Sequence, residues 1–327
     1  MKHLSERAII QLLAQHSSTP ADVFGIGDDA AVIHRGSDCE VITKDLLIED
    51  QHFRLNYYSP EQLAKKALHV NLSDVAAMGA TPQYILLGLS IPINRSADWL
   101  SVFLHCFKQE CAKAKVSLIG GDTTLSPHGL MISITAIGHA QESHLKYRHG
   151  AQPRDLICVL GHTGGAYAGL LLLEDNIAGF EPLKTCLLSP TALVEEGKWL
   201  GAQTAVTAML DTSDGIYIDL NHLCDASSKG AVLNIDQLPI LPSLLDATRA
   251  LNIDPYDCAL MGGEDYGLLF TVKPEGFHAL KKAFAQQFAI PLTAIGVITD
   301  TKKLALKMHN EDYKPVLKPF SHFKELD

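Results

Sequence analysis

Acidic residues recur along this chain in six short clusters, most of them beside glycine at the end of an apolar run. They are Gly25-Ile26-Gly27-Asp28-Asp29, Thr43-Lys44-Asp45, Asn71-Leu72-Ser73-Asp74, Gly120-Gly121-Asp122-Thr123, Asp211-Thr212-Ser213-Asp214-Gly215 and Gly262-Gly263-Glu264-Asp265. Carboxylates repel one another, so a fold that gathers these clusters needs cations to neutralise them. A purely oxygen ligand set favours hard cations such as Mg2+, which share substrate phosphates and keep some of their waters. Glycine lets the backbone approach a ligand and offer its N–H groups to anions. Carboxylates for metal and glycine for phosphate together describe a nucleotide site.

The 327 residues are enough for two domains, and a 47% apolar fraction is enough for a core in each. The net charge of -10, with acids and bases mixed, argues against a nucleic-acid footprint, which needs a basic patch. The seven cysteines are odd in number and form no Cys-x-x-Cys pair, so they read as reduced thiols rather than a disulfide framework or a zinc site. The N-terminus lacks the apolar core and cleavage site of a signal peptide. The strongest apolar run, Gly169 to Leu173, is far short of a bilayer span. A soluble, cytoplasmic protein is expected.

The first half alternates strand and helix patterns. Val41-Ile42-Thr43 is a β-rich run ending at Asp45. Ser59, Pro60 and Gln62 form a capping box with proline in the first turn, opening a helix through Leu63, Ala67 and Val70 that Gly79 and Pro82 end. Asp74, four residues after Val70, falls on or beside the apolar stripe, an odd place for a carboxylate unless it meets a cation. Tyr84–Ile91 and Met131–Gly138 read as buried strands, with a helix near Ala97–Ala114 between them. Ser117-Leu118-Ile119 then reads as a short strand leading to Asp122.

The pattern breaks at His149 to Arg154, which sets a boundary between domains 1–149 and 150–327. Beyond it, strands are expected at 156–160, 231–235, 268–272 and 294–298, and helices near 166–174, 190–200, 216–228 and 277–287. The expectation is an α/β fold with mixed or parallel sheets and helices on a face.

Each cluster also has a plain reading. Gly-Asp pairs are common in turns, Ser213 or Asp214 serves equally as a helix N-cap, and Asp45 and Asp74 are individually ordinary. Glu264 and Asp265 suit a loop as well as recognition of a cationic substrate. His52 is by default a surface histidine, and His16, His105 and His278 are structural or solvent-facing. Gly25-Ile26-Gly27 does not complete a dinucleotide fingerprint, and Gly161-His162-Thr163-Gly164-Gly165 lacks the Lys-Ser/Thr ending of a P-loop.

Taken in order, Asp28-Asp29, Asn71 to Ala80, Ile119 to Thr124, Ser213 to Gly215 and Gly262 to Tyr266 resemble the thiamine-monophosphate kinases. Those kinases form one superfamily with aminoimidazole ribonucleotide synthetase, selenophosphate synthetase and a hydrogenase maturation factor. Gln51-His52-Phe53 and Phe320-Ser321-His322-Phe323 separate the kinases from these relatives. The resemblance runs from Gly25 to Phe323. It implies a two-domain aminoimidazole ribonucleotide synthetase-like fold whose N-terminal domain binds ATP and metal and pairs in a homodimer.

It further implies metal ligation by Asp29, Thr43, Asp45, Asp74, Asp122, Asp211 and Asp214, with Asp28 nearby, and Asp45, Asp122 and Asp214 as catalytic acids. ATP contacts fall to Gly121, Asp122, Arg148 and Ser213, and the thiamine moiety to His52, Glu264 and Phe320. The implied reaction is phosphorylation of thiamine monophosphate by ATP, with several Mg2+ ions screening two phosphates and no general base. The alternatives are another ATP-dependent synthetase of the superfamily, or a nucleotide-binding scaffold without activity. Two positions depart from the kinases: Lys44 stands in place of a small hydroxyl residue, and Gly267 in place of an acid.

Overall fold

A computed structural model describes residues 6–16 and 18–318. The segment holding Phe320 and His322 lies outside the described residues, as does the side chain of His16. In chain order the first half contains α1 (Glu6–His16), β1 (Val23–Phe24), β2 (Ala31–Arg35), β3 (Asp38–Ile48), α2 (Pro60–Ala77), β4 (Thr81–Pro92), α3 (Ala97–Lys113), β5 (Ser117–Ser126) and β6 (Met131–Gln141). The second half contains β7 (Leu156–Leu160), α4 (Gly165–Glu174), α5 (Glu181–Leu188), α6 (Val194–Gly201), β8 (Val206–Asp211), α7 (Ile216–Ser227) and β9 (Gly230–Asn234). It ends with α8 (Pro242–Leu251), α9 (Pro255–Met261), β10 (Leu268–Val272), α10 (Pro274–Gln287), β11 (Leu292–Thr299), β12 (Leu304–Met308) and β13 (Glu311–Asp312).

Two mixed sheets result, one from each half. The first has the order β1-β2-β3-β6-β4-β5 and the second β13-β12-β9-β11-β7-β10-β8. Pairing is antiparallel except for β4 with β5 and β9 with β12.

Helix α2 is the element that positions the site. Its capping box forms as its sequence demands: Gln62 N donates to Ser59 Oγ at 3.2 Å, and Ser59 N to Gln62 Oε1 at 3.0 Å. Such a cap stabilises a helix by about 1 kcal/mol. Leu63, Ala67, Leu68, Val70, Leu72 and Val75 are buried in the core of the first half. The far side of α2 meets the second half, where Gly197 of α6 sits so close to Ala76 that a side chain there would strike the Ala76 carbonyl. Because α2 is covered on both sides, the acid and the lysine it carries are held between the two halves.

Three sequence expectations change. The strands do not stop at their acids. Asp45 pairs with Ile134 within an eleven-residue ladder of β3 with β6, and Asp122 pairs with Gly88 in mid-strand. Continuous ladder bonds carry both strands past the charge. Secondly, β4 and β6 are covered on one face only, since Tyr84 is 43% and Met131 37% exposed. Thirdly, the helix expected at 190–200 begins at Val194, and α5, α8 and α9 occupy stretches left unassigned from periodicity.

Candidate active site

Period-two alternation of β3 divides its residues between two faces. Thr43 and Asp45 face α2, whereas Lys44 and Leu46 face the open side of the sheet. Thr43 Oγ1 donates to Asp74 Oδ2 at 2.6 Å, and Asp45 N donates to Asn71 Oδ1 at 3.1 Å. Asp74 therefore sits on the buried side of α2, as its place in the apolar stripe suggested.

The loop before β2 brings in Asp29, and the end of β8 brings in Asp211. One carboxylate oxygen from each of Asp29, Asp74 and Asp211 lies within 4.8 Å of the others. Ser73 Oγ donates to Asp211 Oδ2 at 2.7 Å. The Arg148 guanidinium donates to Asp29 Oδ1, and Arg148 N donates to Asp28 Oδ2 at 2.9 Å. Asp29 Oδ2 is buried and, among the described residues, accepts no hydrogen bond. Burying carboxylates together raises their pKa values. Desolvation, followed by the charge of Asp29, pushes Asp28 up to about 7 and Asp211 to about 8. Desolvation lifts Asp45 to about 6, and desolvation followed by the charge of Asp45 holds Asp74 well above the usual carboxylate range. Three converging acids, one with an orphaned oxygen, suit a hard divalent cation.

Beside this cluster lies a cavity of about 400 Å³ whose walls include Asp45, Asp74, His52, Ser213, Asp214 and Glu264. His52 Nδ1 accepts a bond from Ile48 N at 3.1 Å, which turns the ring to the cavity rather than leaving it a simple surface group. Phe53, Tyr57, Tyr58, Tyr167 and Tyr266 supply an aromatic lining.

The loops carrying Ser213 and Glu264 are tied backbone to backbone. Glu264 N donates to Ser213 O at 2.8 Å and Tyr266 N to Thr212 O at 2.9 Å. Gly267 N donates to Thr212 Oγ1 at 2.8 Å. A Cβ at Gly267 would lie 2.5 Å from the Leu160 carbonyl oxygen, which explains the glycine here.

The Glu264-Asp265 pair divides its labour. Asp265 accepts from Gly164 N and Ala166 N and so caps α4, while Glu264 turns to the cavity. Desolvation by burial raises Asp265 to about 7.

Sequence reasoning missed Lys66. Its side chain is fully buried, with Nζ 2.8 Å from Glu264 Oε1 and 2.9 Å from the Tyr58 hydroxyl. The signal was present: Lys66 is three residues after Leu63 and four before Val70, on the apolar stripe of α2. Asp219 was missed likewise. Asp214, Asp219 and His222 each offer an atom within 4.8 Å of the others, and Asp219 Oδ2 is buried with no partner among the described residues. Asp219 follows Ile216 by three residues and precedes Leu223 by four, again within an apolar stripe.

Gly121 and Asp122 are not part of this cavity. They line a second one, of about 460 Å³, on the open face of the first sheet with Lys44. His105 and His278 lie elsewhere, against Gln109 and Phe277.

Comparison with known proteins follows this geometry. The family model of the AIR synthase related protein N-terminal domain matches residues 27–140, and that of the C-terminal domain matches 152–309. The chain is 37% identical over 309 residues to the thiamine-monophosphate kinase of Haemophilus influenzae, covering 92% of each. It is 32% identical over 324 residues to that of Bacillus subtilis, covering 94% of this chain and 98% of the other. A solved structure of AaThiL complexed with AMPPCP and TMP superposes with a TM-score of 0.85 at 30% identity, over 99% of this chain and 98% of that one. A thiamine-monophosphate kinase from Stenotrophomonas maltophilia gives a TM-score of 0.76 at 35% identity, over 91% and 94%. The Escherichia coli hydrogenase maturation protein HypE shares the fold, with a TM-score of 0.69 at 18% identity over 86% and 87%.

Proposed function

The chain belongs to the thiamine-monophosphate kinase family within the AIR synthase related proteins, and from that membership we infer that it makes thiamine diphosphate and ADP from thiamine monophosphate and ATP. The observation that carries the reading is the convergence of Asp29, Asp74 and Asp211 beside a cavity that also holds His52 and Glu264.

In the reaction, an oxygen of the substrate phosphate forms a bond to the γ-phosphorus of ATP, and the bond from that phosphorus to the β,γ-bridging oxygen breaks. A phosphomonoester is largely dianionic at neutral pH, since its second pKa is about 6. The nucleophile is then ready without a general base, and the site needs only to align it and offset charge. Asp29, Thr43, Asp45, Asp74, Asp211 and Asp214 would hold Mg2+ ions, and the orphaned oxygen of Asp29 fits that role. When bound, Mg2+ screens the two phosphates from each other and draws charge from the transferring group.

Arg148 and Ser213 would contact ATP on the cavity side, and Gly121 and Asp122, on the opposite face of the first sheet, would reach it across the dimer interface, where Asp122 would hold a further Mg2+. His52, Glu264 and Phe320 orient the thiamine moiety. Glu264 meets its cationic thiazolium or hydrogen-bonds its pyrimidine, and Phe320 stacks on it. Lys66 fixes Glu264 from behind.

The protein acts as a homodimer through domain 1–149. The open sheet face supports this: Leu46, Tyr84 and Met131 are large apolar groups between 37% and 47% exposed on it, and β5 is the edge strand of that sheet. ATP would lie beside that interface. Its seven free cysteines suit the cytoplasm, and no helix among the described residues is long and apolar enough to cross a membrane. ADP release, measured with and without thiamine monophosphate, tests the assignment. Substrate-dependent ADP formation with a thiamine diphosphate product is expected, and ADP release indifferent to the substrate refutes it.

A further inference from the structure

Beyond β13 the chain runs over the second half as an irregular segment, and a buried acid of α9 holds it there. Asp257 Oδ1 accepts from the Tyr313 hydroxyl at 2.6 Å, and its Oδ2 accepts from Val316 N at 2.7 Å and Leu317 N at 3.0 Å. Three donors satisfy a carboxylate that burial would otherwise penalise. Apolar anchoring of the segment is slight by comparison, because Leu317 is only partly buried and Val316 is 88% exposed. One side chain of another element therefore fixes the segment at this point.

Helix α9 is itself tied at both ends. Asp254 caps its start, accepting from Tyr256 N at 2.7 Å and Asp257 N at 3.2 Å. Its end runs into Gly262-Gly263-Glu264, where a Cβ on Gly262 would strike the Tyr167 side chain and one on Gly263 the Ser213 carbonyl. The join is so close that Glu264 follows the placement of α9. Tyr167 and Glu264 both line the main cavity, and Leu317 packs against the same apolar cluster as Tyr167. One short helix thus carries the C-terminal segment on a carboxylate and a wall of the cavity at its end. Phe320 follows Leu317 by three residues in the sequence.

We propose that Asp257 is a positioning residue for thiamine recognition. It fixes the chain at Val316 and Leu317 against the helix that presents Glu264, so that Phe320 and Glu264 take their places from one element before substrate arrives. Such preorganisation lowers the ordering cost of binding. The proposal rests on the kinase reading and deepens it by naming the residue that prepares the thiamine end of the site. Asp257 touches no substrate atom and acts through Phe320.

Calorimetry of thiamine monophosphate binding to the full-length protein in Mg2+ tests this, with steady-state kinetics alongside. Asp257→Ala should bind thiamine monophosphate roughly tenfold more weakly, the scale of a hydrogen bond to a charged group, with kcat and the KM for ATP within about twofold of wild type. Asp257→Asn keeps an acceptor for the two N–H groups and offers a donor to the Tyr313 oxygen, so it should stay within about threefold. Phe320→Ala should also lose affinity, and adding Asp257→Ala to it should cost little more. If Asp257→Ala does not fold, Tyr313→Phe takes its place, with roughly a threefold loss expected from removing one donor of three. Unchanged affinity in folded Asp257→Ala, or in Tyr313→Phe where that variant stands in, overturns the proposal. So do additive losses with Phe320→Ala, or a KM for ATP that rises in step, the mark of general loosening. A wild type that binds thiamine monophosphate but makes no diphosphate defeats the kinase reading alone; one that binds none defeats both.

Discussion

Replacing Asp45 by asparagine should make the metal-free protein more stable while ending turnover. Burial raises the Asp45 carboxyl from 3.8 to about 6, so the folded chain holds that proton more tightly than the unfolded chain. Between pH 3.8 and 6 the folded state binds more protons, and stability falls as pH rises; above 6 the penalty is complete. At ~1.36 kcal/mol per pKa unit the limit is about 3 kcal/mol, and since Asp45 keeps part of its solvent contact a gain of about 1–2 kcal/mol is expected. Asparagine preserves the shape, and the backbone N–H of residue 45 keeps its bond to Asn71. For a chain of this size the gain corresponds to a Tm rise of roughly 2 °C at pH 8. It should vanish at pH 4, where the wild-type carboxyl is protonated in the fold. Thermal unfolding in EDTA at the two pH values reads the effect, and the ADP assay reads activity. A variant less stable than wild type at pH 8, or one with normal turnover, would refute the reasoning.

Other outcomes follow from the same acids and their neighbours. Mg2+ should raise the Tm of wild type at pH 8, by an amount equivalent to about 2.7 kcal/mol at a hundred times its Kd, and the gain should shrink as pH falls from 8 towards 6, where Asp211 and Asp28 take up protons; thermal shift at matched ionic strength checks this, and a pH-independent gain contradicts it. Lys66→Met should cost about 2 kcal/mol, because it removes one partner of an ion pair and leaves Glu264, whose side chain is 30% exposed, only partly relieved by solvent. It should also raise the KM for thiamine monophosphate about tenfold by freeing Glu264, with the KM for ATP unchanged, as steady-state kinetics would reveal. Gly267→Asp should cost about 2 kcal/mol or more because its Cβ meets the Leu160 carbonyl, measurable as a lower urea midpoint.

Much of this architecture was legible in local chemistry. Ser59, Pro60 and Gln62 announce α2, and the acid and lysine on its apolar stripe mark the side from which the site is built. Strand ends were less legible, because an acid after an apolar run reads as a stop. In the fold, pairing with β6 and β4 carries β3 and β5 past Asp45 and Asp122. The separation of Asp122 from the main cavity was also out of reach, since it depends on which side of a pleat each residue takes once the strands are ordered β3-β6-β4-β5. Lys66 and Asp219 required reading a charge inside an apolar stripe as a deliberate pairing. Phe320 falls outside the described residues.

Strand β3 works like a two-sided key, with Asp45 cut on one edge and Lys44, which donates to Ser133, on the other. Shifting its teeth by a single notch would turn an ammonium toward Asp74 and a carboxylate toward Ser133 and Thr135, inverting both locks at once. A deletion or insertion between Asp38 and Ile48 is therefore far more damaging than any one replacement within it. The eleven rungs shared with β6 guard against that error by making every alternative alignment lose contacts along the whole blade.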